Sequence, residues 1–430
     1  MNHHRDEPEF GATGQFELTG VYFVDKKAES SFATTLGMDR IKTLLMVGIG
    51  PAHLKVLTQL AAHRRSDVDV TLIHPWSHLT HPAMVPGFVA GHYPLEACQI
   101  NLQALLREAG VRWINARCGG LDASTNSVML DYGGSGPSLS ATNAGVMVPR
   151  PAMLTYDFLS VDSHTAMERR HLDALLPGAS EHGLLALPCE QFVNRWSQWL
   201  QRLKAQPGKA WNVSVVGADA AALELLFAMQ QGLLKVGILA HLRLLTHGTE
   251  LASGFSAGVQ KRLMARLEHH HIDVFAQRCA RIHADAVELD DGQRLPSDLT
   301  LIATGACAPD WLQHSGLAQD SQGLIQVNSQ LQSVSYRNVF ASGAVATRAD
   351  RPGAAGMQAD NVGSDLAINL LASLTEQPLS EHKPADRAIQ VIACGPGHAI
   401  AQWGWLHGEG RWAWGLREKQ DRAFVAQFKR

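Results

Sequence analysis

Short apolar runs recur along the chain, each closed by glycine and followed by a helical pattern. Thr43-Leu44-Leu45-Met46-Val47 is the first. Gly48-Ile49-Gly50-Pro51-Ala52-His53 follows, and Leu54, Leu57 and Leu60 then recur at the spacing of one helix face. Val68-Asp69-Val70-Thr71-Leu72-Ile73 closes the unit. Strand, glycine turn, helix and strand predict a βαβ unit. The pattern returns at Val213 to Gly217, with a helix over 219–231 and a strand at Leu242 to Thr246. Two such openings predict an α/β fold with two Rossmann-like, dinucleotide-type domains plus a small C-terminal segment. Leu299 to Gly305, Gly323 to Val327 and Asn338 to Gly343 read as further glycine-terminated strands.

The domain boundaries follow from these runs. Residues 1–37 are polar and patternless, and Met38 stands just before the first strand. The segment is read as a disordered or loose extension, or as preceding a natural start at Met38. Residues 41–185 form the first part of the first domain. A second domain is inserted at 186–295, and 296–385 return to the first. Residues 386–430 are a Trp-rich segment. Residues 132–150 are rich in Gly, Ser and Pro and read as a surface loop or β-excursion.

Composition narrows the function classes. The chain has 430 residues, 46% hydrophobic and only 18% charged, so it has material for large cores and is no disordered chain. A net charge of −3 gives no basic field for nucleic acid. Six Cys without a C-x-x-C pair argue against a disulfide scaffold and a Cys-built zinc site. The apolar stretch Ala220 to Leu242 is interrupted by Glu224, Gly232 and Lys235, so it does not read as a membrane span. With no secretory signal, the expected location is cytoplasmic. Histidine is the excess, at 21 residues. His74, His78 and His81 lie in a proline-flanked loop, which does not favour a metal site. His269-His270-His271 reads as a helix end, where histidine suits the dipole.

The turns carry the candidate chemistry. Gly48 allows a tight turn, and Gly50 lets a pyrophosphate approach a helix N-terminus. His53 takes the third glycine position, and His74 stands where an acid would bind a ribose. In Gly217-Ala218-Asp219-Ala220-Ala221-Ala222-Leu223-Glu224, Asp219 replaces the second glycine. A like-charge pair at about 4 Å costs roughly 4 kcal/mol at an effective dielectric near 20. That is about three decades of affinity, so Asp219 argues against NAD(P)H in the usual pose. Asp is also a good N-cap, which gives Asp219 a structural role.

The order G-x-G, Ala303-Thr304-Gly305 and Val339-Phe340-Ala341-Ser342-Gly343 resembles the FAD-dependent pyridine nucleotide-disulfide oxidoreductase superfamily. Within it, the chain is similar to the type II NADH dehydrogenase and sulfide:quinone oxidoreductase branch. It most resembles the dehydrogenase-like domain that is fused to selenide, water dikinase. Pro86 to Tyr93, Tyr156 to Asp162, Ala308 to Trp311, Trp403-Gly404-Trp405 and Gly410-Arg411-Trp412 carry that likeness. The resemblance implies that 41–185 and 296–385 form an FAD-type domain and 186–295 an inserted NAD(P)-type domain, with FAD across the turn Gly48, Gly50, Pro51, Ala52, His53. It places His81-Pro82-Ala83-Met84, hence Ala83 and Met84, near the isoalloxazine. It puts Thr304 and Gly305 at the cofactor, and it puts Gly217, Asp219 and Glu224 at NAD(P)H.

The chain departs from the family pattern at several places. Gly343-Ala344 stands for the family's Gly-Asp, Val362-Gly363 for a Gln and a small residue, and His164 for a small residue. The implied activity is electron transfer from a reductant, NAD(P)H in the family, through flavin to a quinone-like acceptor. The alternative is a non-catalytic or repurposed member acting in binding or regulation, linked to selenium metabolism by analogy. No side chain is assigned as catalytic. Cys189 and Cys394 lack any matching redox motif. For 403–430, Leu416, Phe424, Val425 and Phe428 outline an apolar face. That face suits peripheral contact at the inner face of a membrane, or packing on the flavin-type domain, or a homodimer contact.

Overall fold

The computed structural model describes residues 40–133, 139–141, 147–149, 152–163, 169–304, 308–350, 362–383 and 389–429. The N-terminal extension, His164, Gly305, Cys307 and parts of the 132–150 loop lie outside the described residues. In chain order come β1 (Lys42–Val47), α1 (Pro51–Ala62), β2 (Val68–Ile73), β3 (Arg112–Ile114) and β4 (Phe158–Val161). Next come β5 (Gly183–Leu185), β6 (Trp211–Val216), α2 (Ala220–Lys235), β7 (Ala240–Leu245), α3 (Ala257–His269), β8 (Asp273–Phe275) and β9 (Leu299–Ile302). The chain ends with β10 (Val339–Ala341), α4 (Val362–Leu374), β11 (Gln390–Ala393), β12 (Ala399–Trp403), β13 (Leu406–Gly410) and α5 (Arg411–Ala426).

Two five-stranded parallel sheets result. The first runs β10-β4-β1-β2-β3 and the second β5-β9-β6-β7-β8. The apolar runs are continuous because parallel strands are covered on both faces. In β1 every residue from Thr43 to Val47 is buried. The predicted helix face Leu54, Leu57 and Leu60 is buried too, at 4% exposure or less. Gly363 opens α4 where a Cβ would stand 2.9 Å from the Ala52 Cα, so the small residue lets α4 lie against α1.

The second sheet takes in more chain than 186–295. Strands β5 and β9 flank that segment and both lie in this sheet. The reason is register: Val213 to Val216 pair with Leu299 to Ile302, so β9 cannot return to the first sheet. Both sheets reverse strand order beside the central strand, β1 in one and β6 in the other. Ligands of such sheets bind at that switch point, beyond the carboxyl ends of the strands. The residue after β4 is therefore set beside the turn after β1, and the residue after β9 beside the turn after β6.

The C-terminal segment forms an antiparallel sheet of β11, β12 and β13, followed by α5. Val425 and Phe428 are buried in the core of the first sheet. The apolar face sketched from the sequence for interfacial contact is thus largely consumed by packing. Trp403, Trp405 and Trp412 stay exposed at 51%, 80% and 58%. No helix among the described residues is long and apolar enough to cross a membrane.

Phe340 is fully buried in β10, and truncating such a ring leaves a large cavity. Phe340→Ala is expected to destabilise the protein by about 3–5 kcal/mol, read by chemical denaturation.

Candidate functional site

The first glycine turn is packed as closely as a phosphate loop demands. Gly48 has φ +79, and a Cβ there would stand 2.6 Å from the Ser163 Cα. Gly50 precedes Pro51, the first residue of α1. A helix leaves its first amides without intrahelical partners, and those amides are what bind an anion. Here they are few. Pro51 has no N–H. The His53 amide donates to Asp162 Oδ2 at 2.8 Å. Ala52 carries the remaining amide of the first three helical positions.

Asp162 follows β4, and its own amide donates to the Val47 carbonyl at 3.0 Å. That pairing turns its side chain into the turn. A Cβ on Gly50 or on Gly343 would stand 2.5 Å from Asp162 Oδ1. The carboxylate therefore lies in the cradle that the two glycines form. Gly343 has φ +70 and opens the short turn Gly343–Val345, which carries Ala344.

His53 is fully buried beneath this carboxylate. Its Nδ1 lies 2.8 Å from the Gly48 carbonyl and its Nε2 2.8 Å from Ser160 Oγ. A carbonyl only accepts, so Nδ1 carries the proton and Nε2 accepts from the serine hydroxyl. Burial pushes the His53 pKa down, against the pull of Asp162 and the Gly48 carbonyl. The imidazole is a neutral strut between β1, α1 and β4. Its volume sits where the family has a glycine.

The second turn arrives at the same chemistry differently. Gly217 has φ +145, and a Cβ there would collide with the Ala303 carbonyl. The Ala303 amide donates to Val216 O at 2.9 Å, as Asp162 does to Val47. Ala303 thus matches Asp162 in position but brings no charge. The carboxylate comes instead from Asp219, the N-cap of α2, whose Oδ1 accepts from the Ala222 amide at 2.8 Å. Burial raises the Asp219 pKa, and the bonds from Ala222 and Ala221 oppose it. His53 and Ala222 are both the third residue of their helices. In both domains that amide is spent on a carboxylate of the chain itself.

Beside the second turn is a cleft of about 870 Å³. Pro82, Val85, Leu187, Leu225 and Ile302 give it apolar walls, and Thr304, Asp219 and Glu224 give it polar ones. Glu224 accepts from the Ala393 amide at 2.9 Å and pairs with Arg417 Nη1 at 3.3 Å. Burial raises its pKa, and Arg417 opposes that shift. Arg417 also bonds Asp421 Oδ2 at 2.8 Å and the Val391 carbonyl at 2.8 Å, so α5 reaches α2 through one guanidinium. Ala83 lines a second cleft, shared with Glu224 and Arg417, while the Met84 side chain is buried.

The structure groups Gly48, Gly50, Pro51, Ala52, His53, Gly343 and Ala344 around Asp162, and it gathers Asp219, Glu224 and Thr304 around the cleft, with Gly217 in the adjoining turn against Ala303. His74 stands apart at the end of β2. Its carbonyl accepts from Trp113 Nε1 at 2.8 Å, and its ring packs edge-on to Trp76. Asp162, Ser160, Arg417 and Asp421 were missed as site residues. The one sequence signal for Asp162 is an acid directly after a mostly apolar strand. Cys189 and Cys394 are free, and burial pushes both thiols up to about 12, which leaves no thiolate for redox work. Among the described residues no three His, Cys, Asp or Glu side chains are grouped to hold a metal ion.

Residues 175–361 match the family model for pyridine nucleotide-disulphide oxidoreductases. The matched segment carries the pattern of this superfamily and spans less than half of the chain. Solved structures of the same fold include the sulfide:quinone oxidoreductase of Aquifex aeolicus, with 17% identity, TM-score 0.69 and coverage of 90% of this chain and 91% of that one. NDH2 from Plasmodium falciparum, solved in complex with NADH, is 12% identical with TM-score 0.69, over 90% and 97% of the two chains. An NAD-dependent persulfide reductase from A. fulgidus is 14% identical with TM-score 0.63, over 88% and 65%. No curated protein matches the chain in sequence. By fold the chain is of the flavin disulphide-oxidoreductase type.

The superfamily implies FAD at the first turn. The residues present do not fit its pyrophosphate. One amide is missing at Pro51, one is taken, and a carboxylate fills the glycine cradle.

The His53 strut has a pH signature. Its folded pKa lies below the ordinary 6.5, so the unfolded state binds the proton first as pH falls. Its contribution is present above that value and lost below it. Urea midpoints at about pH 7.5 and about pH 5.5 are expected to fall less in His53→Gln than in the native protein.

Proposed function

We propose that this chain uses the flavin-oxidoreductase fold as a ligand-binding or regulatory scaffold and holds neither FAD nor NAD(P)H by its pyrophosphate. The observation that carries this reading is the Asp162 carboxylate in the Gly50 and Gly343 cradle, bonded to the His53 amide. A phosphate beside it would meet a like charge at about 4 Å, for roughly 4 kcal/mol at an effective dielectric near 20. Asp219 does the same at the second turn. The neutral losses point the same way: Ala344 offers no carboxylate to a ribityl hydroxyl, and Ala303 and Val362 add only apolar surface.

The ligand would occupy the cleft of about 870 Å³. Its walls suit a small apolar molecule. Thr304 lines it with a hydroxyl, which can donate to a carbonyl acceptor on the ligand. A quinone-like compound has that chemistry. The role in selenium metabolism has only the resemblance of the quoted segments behind it. Contact of 403–430 with a membrane or a second copy would run through the exposed Trp403, Trp405 and Trp412, because Val425 and Phe428 are already packed inside.

A second reading keeps the catalytic role, with electrons passing from a reductant through FAD to a quinone-like acceptor. The hydroxyls of Ser163 and Ser342 favour it. Both are buried beside the cradle without a partner among the described residues, and they leave hydrogen-bonding capacity for a polar ligand.

The visible spectrum separates the two. The purified protein is expected to be colourless and to take up no FAD on incubation. Asp162→Gly is expected to gain FAD uptake by up to about three decades, at a stability cost of about 1 kcal/mol from the lost cap. A native protein that is yellow with one FAD per chain overturns the scaffold reading and establishes the second.

A further inference from the structure

A groove separate from both turns lies between α3 and the hairpin β12–β13. Its volume is about 1010 Å³. Lys261, Arg262 and Arg266 line it from α3. They recur at one, four and five residues' spacing, which places them on one side of the helix. His398 and His407 line it from the facing sheet, and Glu409 is the one acid. Arg262 forms an ion pair with Glu409. That pair cancels, so Lys261 and Arg266 set the sign of the groove.

Two atoms in it lack partners. Arg266 Nε and His398 Nδ1 are buried, and neither has a hydrogen-bond partner among the described residues. Arg266 is otherwise held by one contact, Nη2 to His270 Nε2 at 3.0 Å. A buried guanidinium donor left unsatisfied is costly, and a bound acceptor removes the cost. Gly258 keeps the groove's shape, since a Cβ there would collide with the His407 ring. Burial first and Arg266 next push the His398 pKa down, while Glu409, 3.7 Å from its Nε2, opposes them. Lys261, Arg262 and Arg266 against the one Glu409 leave the groove positive. The neighbouring His270 is pushed to about 4, by burial first and by Arg266 next. A cation would meet that field. An anion is drawn to it.

We propose that this groove binds a small, multiply charged anion of the phosphate type, with Arg266 as the principal contact and Lys261 as the second cation. A guanidinium presents a planar fork of donors to phosphate oxygens, which a lone ammonium does not. The site is independent of both glycine turns and of whether they hold a dinucleotide.

Isothermal titration of the full chain with inorganic pyrophosphate, at constant ionic strength, tests this. The expected result is saturable one-site binding. Arg266→Met is expected to weaken it at least about ten-fold. Lys261→Ser, an exposed position, is expected to weaken it about three-fold with an unchanged thermal midpoint. Asp162→Gly is expected to leave the affinity unaltered. Three results would overturn the proposal: no saturable binding, binding indifferent to both Arg266 and Lys261, or binding that rises in Asp162→Gly and so belongs to the capped turn. Zinc titrated in place of pyrophosphate is expected to give no saturation, and tight zinc binding lost in His398→Gln would reassign the groove to a metal.

Discussion

One hydrogen bond organises the first domain: the His53 amide to the Asp162 carboxylate. It joins the N-terminus of α1 to the end of β4 across the switch point. A phosphate loop ordinarily leaves its helix amides for a ligand. Here the chain completes the loop alone. The carboxylate suits the positive end of the helix, gives the turn a resident anion, and lets Gly48, Gly50 and Gly343 keep a close-packed backbone without cofactor. His53 follows from the same constraint. With no phosphate layer to fit around, the third glycine position can take an imidazole that bonds Gly48 and Ser160.

The second domain shows that this is a solution rather than an accident of one side chain. Residues 162 and 303 occupy matching places after neighbouring strands, yet only one is acidic. Where the strand offers Ala303, the turn supplies Asp219 instead. Two different positions converge on one bond, carboxylate to the third amide of the helix. An isolated acid near one turn would be weak grounds for a lost cofactor. The same anion at the same amide in both domains is much stronger, because each helix gains its cap without any shared sequence change.

The fold was readable in the sequence because its signals are local. Five-residue apolar runs, glycine ends and the Leu54, Leu57, Leu60 stripe each carry their own period. The second turn was readable for the same reason, since Asp219 caps a helix three residues away. Asp162 was not. It lies more than a hundred residues from Gly50 in sequence, and only the parallel pairing of β1 with β4 brings them together. The 295/296 boundary failed likewise, because an apolar strand such as Leu299–Ile302 reads alike in either sheet. His53 was visible as a departure, but its role needed Ser160 from the far strand.

The C-terminal segment extends the argument from the turns to the cleft. Glu224 belongs to the helix that Asp219 caps, and Arg417 of α5 neutralises it at 3.3 Å. A buried carboxylate without a partner would protonate or open the core. The guanidinium lets it remain beside an apolar cleft, and Asp421 in turn orients the guanidinium. Because Val425 and Phe428 anchor α5 in the first core, the same helix that fixes Arg417 is itself fixed by the first domain. The ion pair at Glu224 is therefore held in part by packing in the other domain. A ligand that enters the cleft and changes the Glu224–Arg417 pair would be felt by α5 before it was felt by either glycine turn. A scaffold with sealed nucleotide sites can in this way still report on what it binds.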